Sequence, residues 1–272
     1  MTTPTPSPTP SPTPTPSPAP VVVESGPGDV AVVTLNRPHA LNALNVDLLV
    51  GLTDALRTVH GSGPVIVRGA GRAFCVGEDL KETLAPATGT AEELRTAFEL
   101  LQDVTRLMVS NPAPVIAAVQ GYAVGGGAEI ALAADVVLLE HGTRIRFPEV
   151  PIGHAHTGGI SDRLTRMVGL LRAKELLFTG RWVEHDEALR IGLVTTVADD
   201  AFAAARDLAA ALGGQPARSL AAAKRAVEAS CSTQLEATLR LEVEAALYCF
   251  ASAEAEATFE QFTTSGTVAG AR

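Results

Sequence analysis

The chain has 272 residues, of which 46% are hydrophobic and 19% charged, and this balance excludes a disordered or coiled-coil protein. Its formal net charge of −9 opposes an electrostatic surface for nucleic acid or for an anionic membrane. The sequence contains no apolar run of roughly 18 residues, no secretory signal, and only three cysteines at irregular spacing. We therefore expect a soluble globular protein of the cytoplasm, without disulfides and without a metal site.

Residues 1–21 are predicted to form a disordered tail. Nine prolines occupy the even positions from Pro4 to Pro20, and the Thr and Ser residues between them provide nothing to bury. Beyond the tail, short β-branched runs alternate with helical patterns, which predicts an α/β fold. The predicted strands span residues 30–36, 64–69, 114–123, 136–140 and 193–197. The predicted helices span residues 45–59, 91–110, 125–135, 161–169, 171–178 and 184–191, and helical patterns continue beyond them through 234–262.

Four segments have the composition of a reaction site. They are NRPHALNALN at 36–45, AFCVGEDLKE at 73–82, GYAVGGGAE at 121–129 and FPEV at 147–150. The second and third each run from a strand through glycine into a helix start, where unpaired backbone N–H groups can converge on an anion. Two such donors form an oxyanion hole, and the loss of one typically costs about 10²- to 10³-fold in rate.

Two glutamates accompany these turns. Glu129 follows Gly126 by three residues, so its carboxylate is expected to project toward the same cavity. Glu149 arrives from a separate segment, twenty residues later. Two carboxylates in one apolar site can divide the roles of general acid and general base, because desolvation and mutual repulsion separate their pKa values.

In these four motifs and in their order, the chain resembles the crotonase superfamily, the enoyl-CoA hydratase/isomerase family, over about residues 22–265. The resemblance implies a spiral of repeated ββα units over 22–200 and a C-terminal helical trimerisation region over 201–272. It implies a homotrimer or a dimer of trimers. It also implies an acyl-CoA thioester substrate and no separate cofactor, since coenzyme A is part of the substrate.

The resemblance assigns roles to individual positions. The backbone N–H groups of Glu78 and Gly126 are expected to form the oxyanion hole. Glu129 and Glu149 match the glutamate pair of the hydratases, which activates water at C3 while the second glutamate delivers a proton to C2. The positions matched to substrate or coenzyme A binding are Ala40, Val76, Lys81, Gly125 and Thr157.

The loop after FPEV departs from the hydratase pattern. Thr157 occupies the position of a glycine that lines the hydratase site, so its side chain either shrinks the pocket or adds a hydroxyl. His154 and His156 belong to the same loop. Hydration of an enoyl-CoA is the expected reaction. The alternative within the family is an isomerase or another crotonase reaction (lyase, hydrolase or decarboxylase) that depends chiefly on Glu149.

Other functions are disfavoured by the residues themselves. A non-catalytic crotonase-fold scaffold or ligand-binding protein is opposed by the retained glutamate pair. RNA binding is opposed by the negative charge and by the presence of only three lysines. Two nearby histidines do not complete a metal ligand set, and a triad of Ser161, Asp162 and His156 lacks the strand-turn-helix elbow that displays a nucleophile.

Overall fold

The structure is a computed structural model, and it describes residues 19–82, 90–231 and 234–251. Most of the predicted tail and the end of the last predicted helical pattern lie outside the described residues. The strands are β1 (Val21–Ser25), β2 (Ala31–Leu35), β3 (Val65–Gly69), β4 (Val115–Val119), β5 (Tyr122–Val124), β6 (Val136–Glu140), β7 (Arg144–Arg146), β8 (Val183–Glu184) and β9 (Thr196–Ala198). The α-helices are α1 (Val46–Thr58), α2 (Ala91–Ser110), α3 (Gly126–Leu132), α4 (Ile160–Val168), α5 (Leu170–Thr179), α6 (His185–Arg190), α7 (Ala201–Gly213), α8 (Ala217–Cys231) and α9 (Leu235–Phe250).

The main sheet has six strands in the order β1-β2-β3-β4-β6-β9. β1 is antiparallel to β2, and the other neighbouring pairs are parallel. Both faces are covered, and successive side chains alternate between them because a strand has a period of two. On β3, Val65 and Val67 belong to the larger core that α1 and α2 cover, whereas Ile66 belongs to the cluster beneath α7.

A second, three-stranded sheet positions the glycine-rich turn. Its order is β5-β7-β8, with β5 parallel to β7 and β7 antiparallel to β8. The strand predicted over 114–123 is therefore wrong in its extent, because the chain turns at Gly121 with φ +64° and leaves the main sheet for the second one. The strand predicted over 193–197 instead begins at Thr196, since the Leu193 N–H donates to the Ala188 carbonyl and closes α6.

The C-terminal helices attach to the core at different places. Helix α7 packs its small side chains Ala201, Ala205 and Ala209 on the main sheet, while α9 packs against α2 and α4. Helix α8 is joined to the core by Lys224, whose Nζ lies 2.7 Å from Oδ2 of Asp135. The division of the chain at residues 200 and 201 stays a prediction. Among the described residues, no helix is long and apolar enough to cross a membrane.

Candidate active site

Two turns lie side by side at the edge of the core, one after Cys75 and one before α3. The Cys75 N–H donates to the Tyr122 carbonyl at 3.1 Å, and the Val124 N–H donates to the Cys75 carbonyl at 3.0 Å. Gly77 has φ +83°, and a Cβ there would lie 2.8 Å from the Val124 carbonyl oxygen. Glycine is therefore required for this close approach of the two backbones.

The predicted oxyanion donors lie on these two turns. Gly125 is the N-cap of α3, with φ +52°, and Gly126 is the first helical residue, so the Gly126 N–H has no acceptor within the helix. Hydrogen bonds on either side of Glu78 join its turn to Leu44, because the Leu44 N–H donates to the Gly77 carbonyl and the Asp79 N–H donates to the Leu44 carbonyl. N–H groups alternate in direction along an extended segment, so the Glu78 N–H is directed away from Leu44.

Asn42 supports the Cys75 turn from beneath. Its backbone is left-handed, with φ +58°, and its Nδ2 donates to the carbonyls of Ala70 and Ala73, both at 2.9 Å. Its Oδ1 accepts the Arg37 N–H at 2.9 Å. Because asparagine tolerates the left-handed region better than most residues, it can fulfil both roles at this position.

A buried ion pair closes the same loop. The Arg37 guanidinium donates to the Ala43 carbonyl at 2.6 Å and to Oδ2 of Asp79 at 2.8 Å, and it reaches Oε2 of Glu82 at 3.1 Å. Burial alone would raise the pKa of Asp79, but the hydrogen bonds from Arg37 and from the N–H groups of Lys81 and Glu82 lower it below its ordinary value. The loop that carries Glu78 is thus held by an ionised pair.

Glu129 is buried, with 1% of its surface exposed. Its Oε1 accepts the Thr157 N–H at 2.9 Å, and the Thr157 Oγ1 lies 2.8 Å from its Oε2. Gly158 packs against its stem, since a Cβ at that position would lie 2.7 Å from the Glu129 Cβ. Burial and the nearby charge of Glu149 raise the pKa of Glu129 well above its ordinary value, and the Thr157 hydrogen bonds oppose this rise.

Glu149 enters the cluster from the other side. It directly precedes the 3₁₀ turn Val150–Ile152, and its Oε1 lies close enough to Gly125 that a Cβ there would be 2.5 Å away. Its Oε2 is buried and has no hydrogen-bond partner among the described residues. Burial raises the pKa of Glu149 to about 7. Two carboxyl groups that resist ionisation therefore flank the glycine turn at the start of α3.

The other predicted binding residues lie around this cluster. Val76 is half-buried in the Cys75 turn, and Ala40 is half-buried at the end of the 3₁₀ turn Pro38–Ala40. Lys81 is exposed, and its N–H donates to Oδ1 of Asp79 at 3.0 Å. Thr157 is buried and directs its hydroxyl at Glu129. The structure thus brings Thr157, Gly125, Gly126 and both glutamates together, with Ala40 and Lys81 nearer the surface.

The triad of Ser161, Asp162 and His156 does not assemble. His156 Nε2 lies 2.9 Å from the Ser161 Oγ, but the Asp162 carboxylate binds Arg166 at 2.8 Å, so the three residues do not form a triad. The described part of the chain contains no group of three His, Cys, Asp or Glu residues that could hold a metal ion.

Sequence reasoning missed several supporting residues. Arg37 and Asn42 lie within the motif at 36–45, directly after a predicted strand. Polar side chains at the end of a strand are the sequence feature that could have identified them. Glu242 was also missed, although it shares the buried face of α9 with Leu239, Val243 and Ala246. A charged residue on an otherwise apolar helical stripe is the signal that could have identified it.

Comparison with known proteins extends the resemblance seen in the motifs. Residues 25–267 match the model of the enoyl-CoA hydratase/isomerase family. The short-chain-enoyl-CoA hydratase of Clostridium acetobutylicum is 35% identical over 237 residues, which cover 85% of this chain and 90% of that protein. The crotonyl-CoA hydratase of Syntrophomonas wolfei is 34% identical over 231 residues, 82% of this chain and 87% of that protein. A solved enoyl-CoA hydratase/isomerase from Mycobacterium paratuberculosis has a TM-score of 0.84 at 27% identity, covering 90% of this chain and 98% of that chain.

Proposed function

The chain belongs to the enoyl-CoA hydratase/isomerase family, and from that premise we propose that it adds water across the 2,3 double bond of an enoyl-CoA thioester. The expected family and its crotonase fold are confirmed by the family match and by the solved structure. The observation that supports hydration is the pair of buried glutamates, Glu129 and Glu149, at the turn that begins α3.

The thioester oxygen is proposed to lie between the N–H groups of Glu78 and Gly126. Addition at C3 places negative charge on this oxygen, and fixed backbone dipoles stabilise such charge without reorganising. The hydrogen bonds of Leu44 on either side of Glu78, and the positive-φ N-cap at Gly125, support this assignment because they hold both donors in place.

The two glutamates are proposed to share one proton near neutrality. Burial raises both pKa values, so the pair resists the loss of its second proton. The two Thr157 hydrogen bonds stabilise the ionised form of Glu129, and the Glu149 backbone N–H and the charge of Arg146 stabilise that of Glu149. Because Oε2 of Glu149 has no hydrogen-bond partner among the described residues, and because the family resemblance gives proton delivery to the second glutamate, we propose that Glu149 carries the shared proton. Glu129 then accepts a proton from water as its oxygen bonds to C3, and Glu149 delivers its proton to C2. Glu129 gains one proton from water as Glu149 loses one to C2, so the number of protons on the two glutamates does not change.

The remaining assignments concern binding and assembly. Lys81 is exposed on the loop that carries Glu78, and we propose that it pairs with the coenzyme A phosphates, with the backbone of Ala40 and Val76 beside the adenine and pantetheine. We propose a cytoplasmic homotrimer or dimer of trimers without a separate cofactor. Apolar side chains at the surface of α5 support self-association, since Leu171 is 83% exposed and Phe178 is 64% exposed.

The test uses purified protein, a panel of short, medium, branched and aromatic 2-enoyl-CoA thioesters, and ¹⁸O-labelled water. We expect label in a 3-hydroxyacyl-CoA product, lost in Glu129→Gln and in Glu149→Gln. Glu244→Gln, which removes an exposed carboxylate on α9, is the matched control and should retain the label. If no thioester of the panel gives an ¹⁸O-labelled product, while the substrate exchanges deuterium at C2 or releases coenzyme A, the result would contradict hydration. It would instead indicate the isomerase, lyase or hydrolase reactions.

One observation favours the isomerase alternative. Thr157 occupies both oxygens of Glu129, which leaves Glu149 as the carboxyl without a partner at Oε2 among the described residues. An isomerase that moves a proton with Glu149 alone would tolerate Glu129→Gln, whereas a hydratase would not. Binding of coenzyme A without turnover of any thioester would instead support a scaffold or ligand-binding protein.

A further inference from the structure

A third glutamate lies behind the reaction site. Glu242 projects from α9, 83 residues from one of its partners along the chain, and only 3% of its surface is exposed. Its Oε2 accepts the Gly159 N–H at 2.7 Å, and its Oε1 accepts the Ser161 N–H at 2.9 Å. Gln102 Nε2 lies 3.3 Å from Oε2. A buried carboxylate is unfavourable unless hydrogen bonds replace its lost hydration, and here neutral donors of α2 and α4 supply them.

The partners of Glu242 lie in the segment that carries Thr157, which we call the 157–161 turn. Gly158 and Gly159 have φ +64° and +74°, a conformation that leaves successive N–H groups without helical acceptors at the start of α4. Thr105 Oγ1 donates to the Gly158 carbonyl at 2.9 Å from α2. The turn is thus held by Thr105 and Glu242, from two different helices.

The same turn orients the proposed catalytic pair. Thr157 donates two hydrogen bonds to Glu129, and Gly158 packs on the Glu129 stem. Displacement of the turn by a fraction of an ångström would move both donors away from the carboxylate. Glu242 therefore lies two steps from Glu129, through contacts of 2.7 to 2.9 Å.

We propose that Glu242 is a positioning residue for the reaction, which holds the 157–161 turn so that Thr157 keeps the Glu129 carboxylate oriented toward the site. This inference rests on the proposed function. It assigns the C-terminal helix α9 a part in the chemistry, in addition to its packing on α2 and α4.

The pKa of Glu129 provides a readout that packing alone would not give. The charge of Glu242 acts on Glu129 in the same direction as the charge of Glu149, and both raise the pKa of Glu129. His156 faces Glu242 through Ser161, and burial lowers the pKa of His156, so this imidazole stays neutral near pH 7. Loss of this charge alone would lower the pKa of Glu129, whereas loss of the Thr157 hydrogen bonds, which hold that pKa down, would raise it. Burial also raises the pKa of Glu242, so its charge contributes little at acidic pH. Displacement of the turn should therefore move the acidic limb of the kcat–pH profile to higher pH.

The experiment compares Glu242→Gln with Glu244→Gln, a change on the same helix that removes an exposed ion pair with Arg95. Hydration of crotonyl-CoA is measured across pH for both variants and the wild type. We expect kcat to fall about tenfold in Glu242→Gln, with KM within about twofold, because the loss is one of orientation. The acidic limb should move to higher pH in Glu242→Gln only, and a move to lower pH would mean that only the charge was lost and would overturn the inference. Equal kcat and equal acidic limbs in the two variants would overturn the inference while the proposed function stands.

Two further measurements test the inference if Glu242→Gln does not fold, or if the wild type does not hydrate an enoyl-CoA. If Glu242→Gln does not fold, Glu242→Asp keeps the carboxylate but withdraws it from the Gly159 and Ser161 N–H groups, and an unchanged kcat in that variant overturns the inference, whereas a fall in kcat supports it. Infrared titration of the Glu129 carboxyl band, assigned with Glu129→Gln, requires no turnover. If the wild type does not hydrate any enoyl-CoA, the proposed function fails, and a Glu129 band that titrates identically with and without Glu242→Gln removes the inference as well.

Discussion

Glu149→Gln is expected to stabilise the fold at alkaline pH while it removes activity. Oε2 of Glu149 is buried without a hydrogen-bond partner among the described residues, and burial raises the pKa of this carboxyl from 4.5 to about 7. Below pH 4.5 the carboxyl is protonated in both folded and unfolded chains. As pH rises toward 7 the unfolded chain releases this proton first, so the stability of the folded protein falls across that window.

The size of the effect follows from the same shift. One pKa unit corresponds to about 1.4 kcal/mol, so the wild type should lose about 3 kcal/mol of unfolding free energy per protomer between pH 4.5 and pH 8.5 through Glu149. The glutamine variant has no such loss. Removing the Glu149 charge also lowers the pKa of Glu129, which adds to the effect with the same sign.

The assay is urea unfolding of wild type and Glu149→Gln at pH 5 and pH 8.5, at one protein concentration because association shifts apparent stability. The buried amide has its own cost at both pH values, which cancels when the two differences are compared. Glu24→Gln, which removes an exposed carboxylate from β1, is the matched control. We expect the difference in unfolding free energy to shift by about 2 to 3 kcal/mol in favour of Glu149→Gln at pH 8.5. The same difference at both pH values would refute the reasoning.

Three further changes test the surrounding structure. Thr157→Val removes the hydroxyl 2.8 Å from Oε2 of Glu129 and should lower kcat about 10- to 100-fold, whereas Thr157→Ser should retain most of the rate; equal rates would contradict the contact. Asp79→Ala removes the 2.8 Å partner of the buried Arg37 but leaves Glu82 at 3.1 Å as its counter-charge, so it should lower the free energy of unfolding by about 1 to 3 kcal/mol. An unchanged free energy in urea unfolding would contradict this contact. Gly127→Ala places a Cβ 2.7 Å from the Cβ of Cys75 and should lower the free energy of unfolding by about 1 to 3 kcal/mol, and an unchanged midpoint would show that the turn has room.

The long amphipathic helices were predictable because their ends carry local signals. The Asn45 side chain accepts the Leu48 N–H and caps α1, which spans Val46–Thr58 against a prediction of 45–59. Thr90 and Glu93 form a capping box at the start of α2, whose bounds match the prediction. In both helices, the capping residue and the spacing of the apolar residues predict the same helix with nearly the same bounds.

The short strands were not predictable in this way. Strands β5 and β7 have three residues each and β8 has two, too few to show a period of two. β7 reads Arg-Ile-Arg, and it becomes a strand only because β5 and β8 pair with it. The prediction of one strand over 114–123 did not include the break between β4 and β5, because the turn at Gly121 is set by tertiary packing.

The residues of the candidate site likewise fall into two groups, those that local sequence predicts and those that depend on tertiary packing. Motif order predicted the glycine turn and both glutamates, since these residues belong to contiguous segments. The partners of Glu129 come from elsewhere in the chain, because Thr157 lies 28 residues away. The sequence shows that Thr157 replaces a glycine of the hydratase pattern. Its two hydrogen bonds to Glu129, however, depend on how the 157–161 turn is anchored to α2 and α9. Such contacts follow from packing and leave little trace in local sequence.

The most direct test of the account is a double-mutant cycle on the glutamate pair. Hydration rates of wild type, Glu129→Gln, Glu149→Gln and the double variant are measured on the best thioester of the panel. Residues that act as one unit have strongly non-additive effects, so we predict that the double variant is slowed about as much as either single variant, within a few-fold. Losses that multiply in the double variant would contradict a shared proton and mean that the two carboxyl groups act independently.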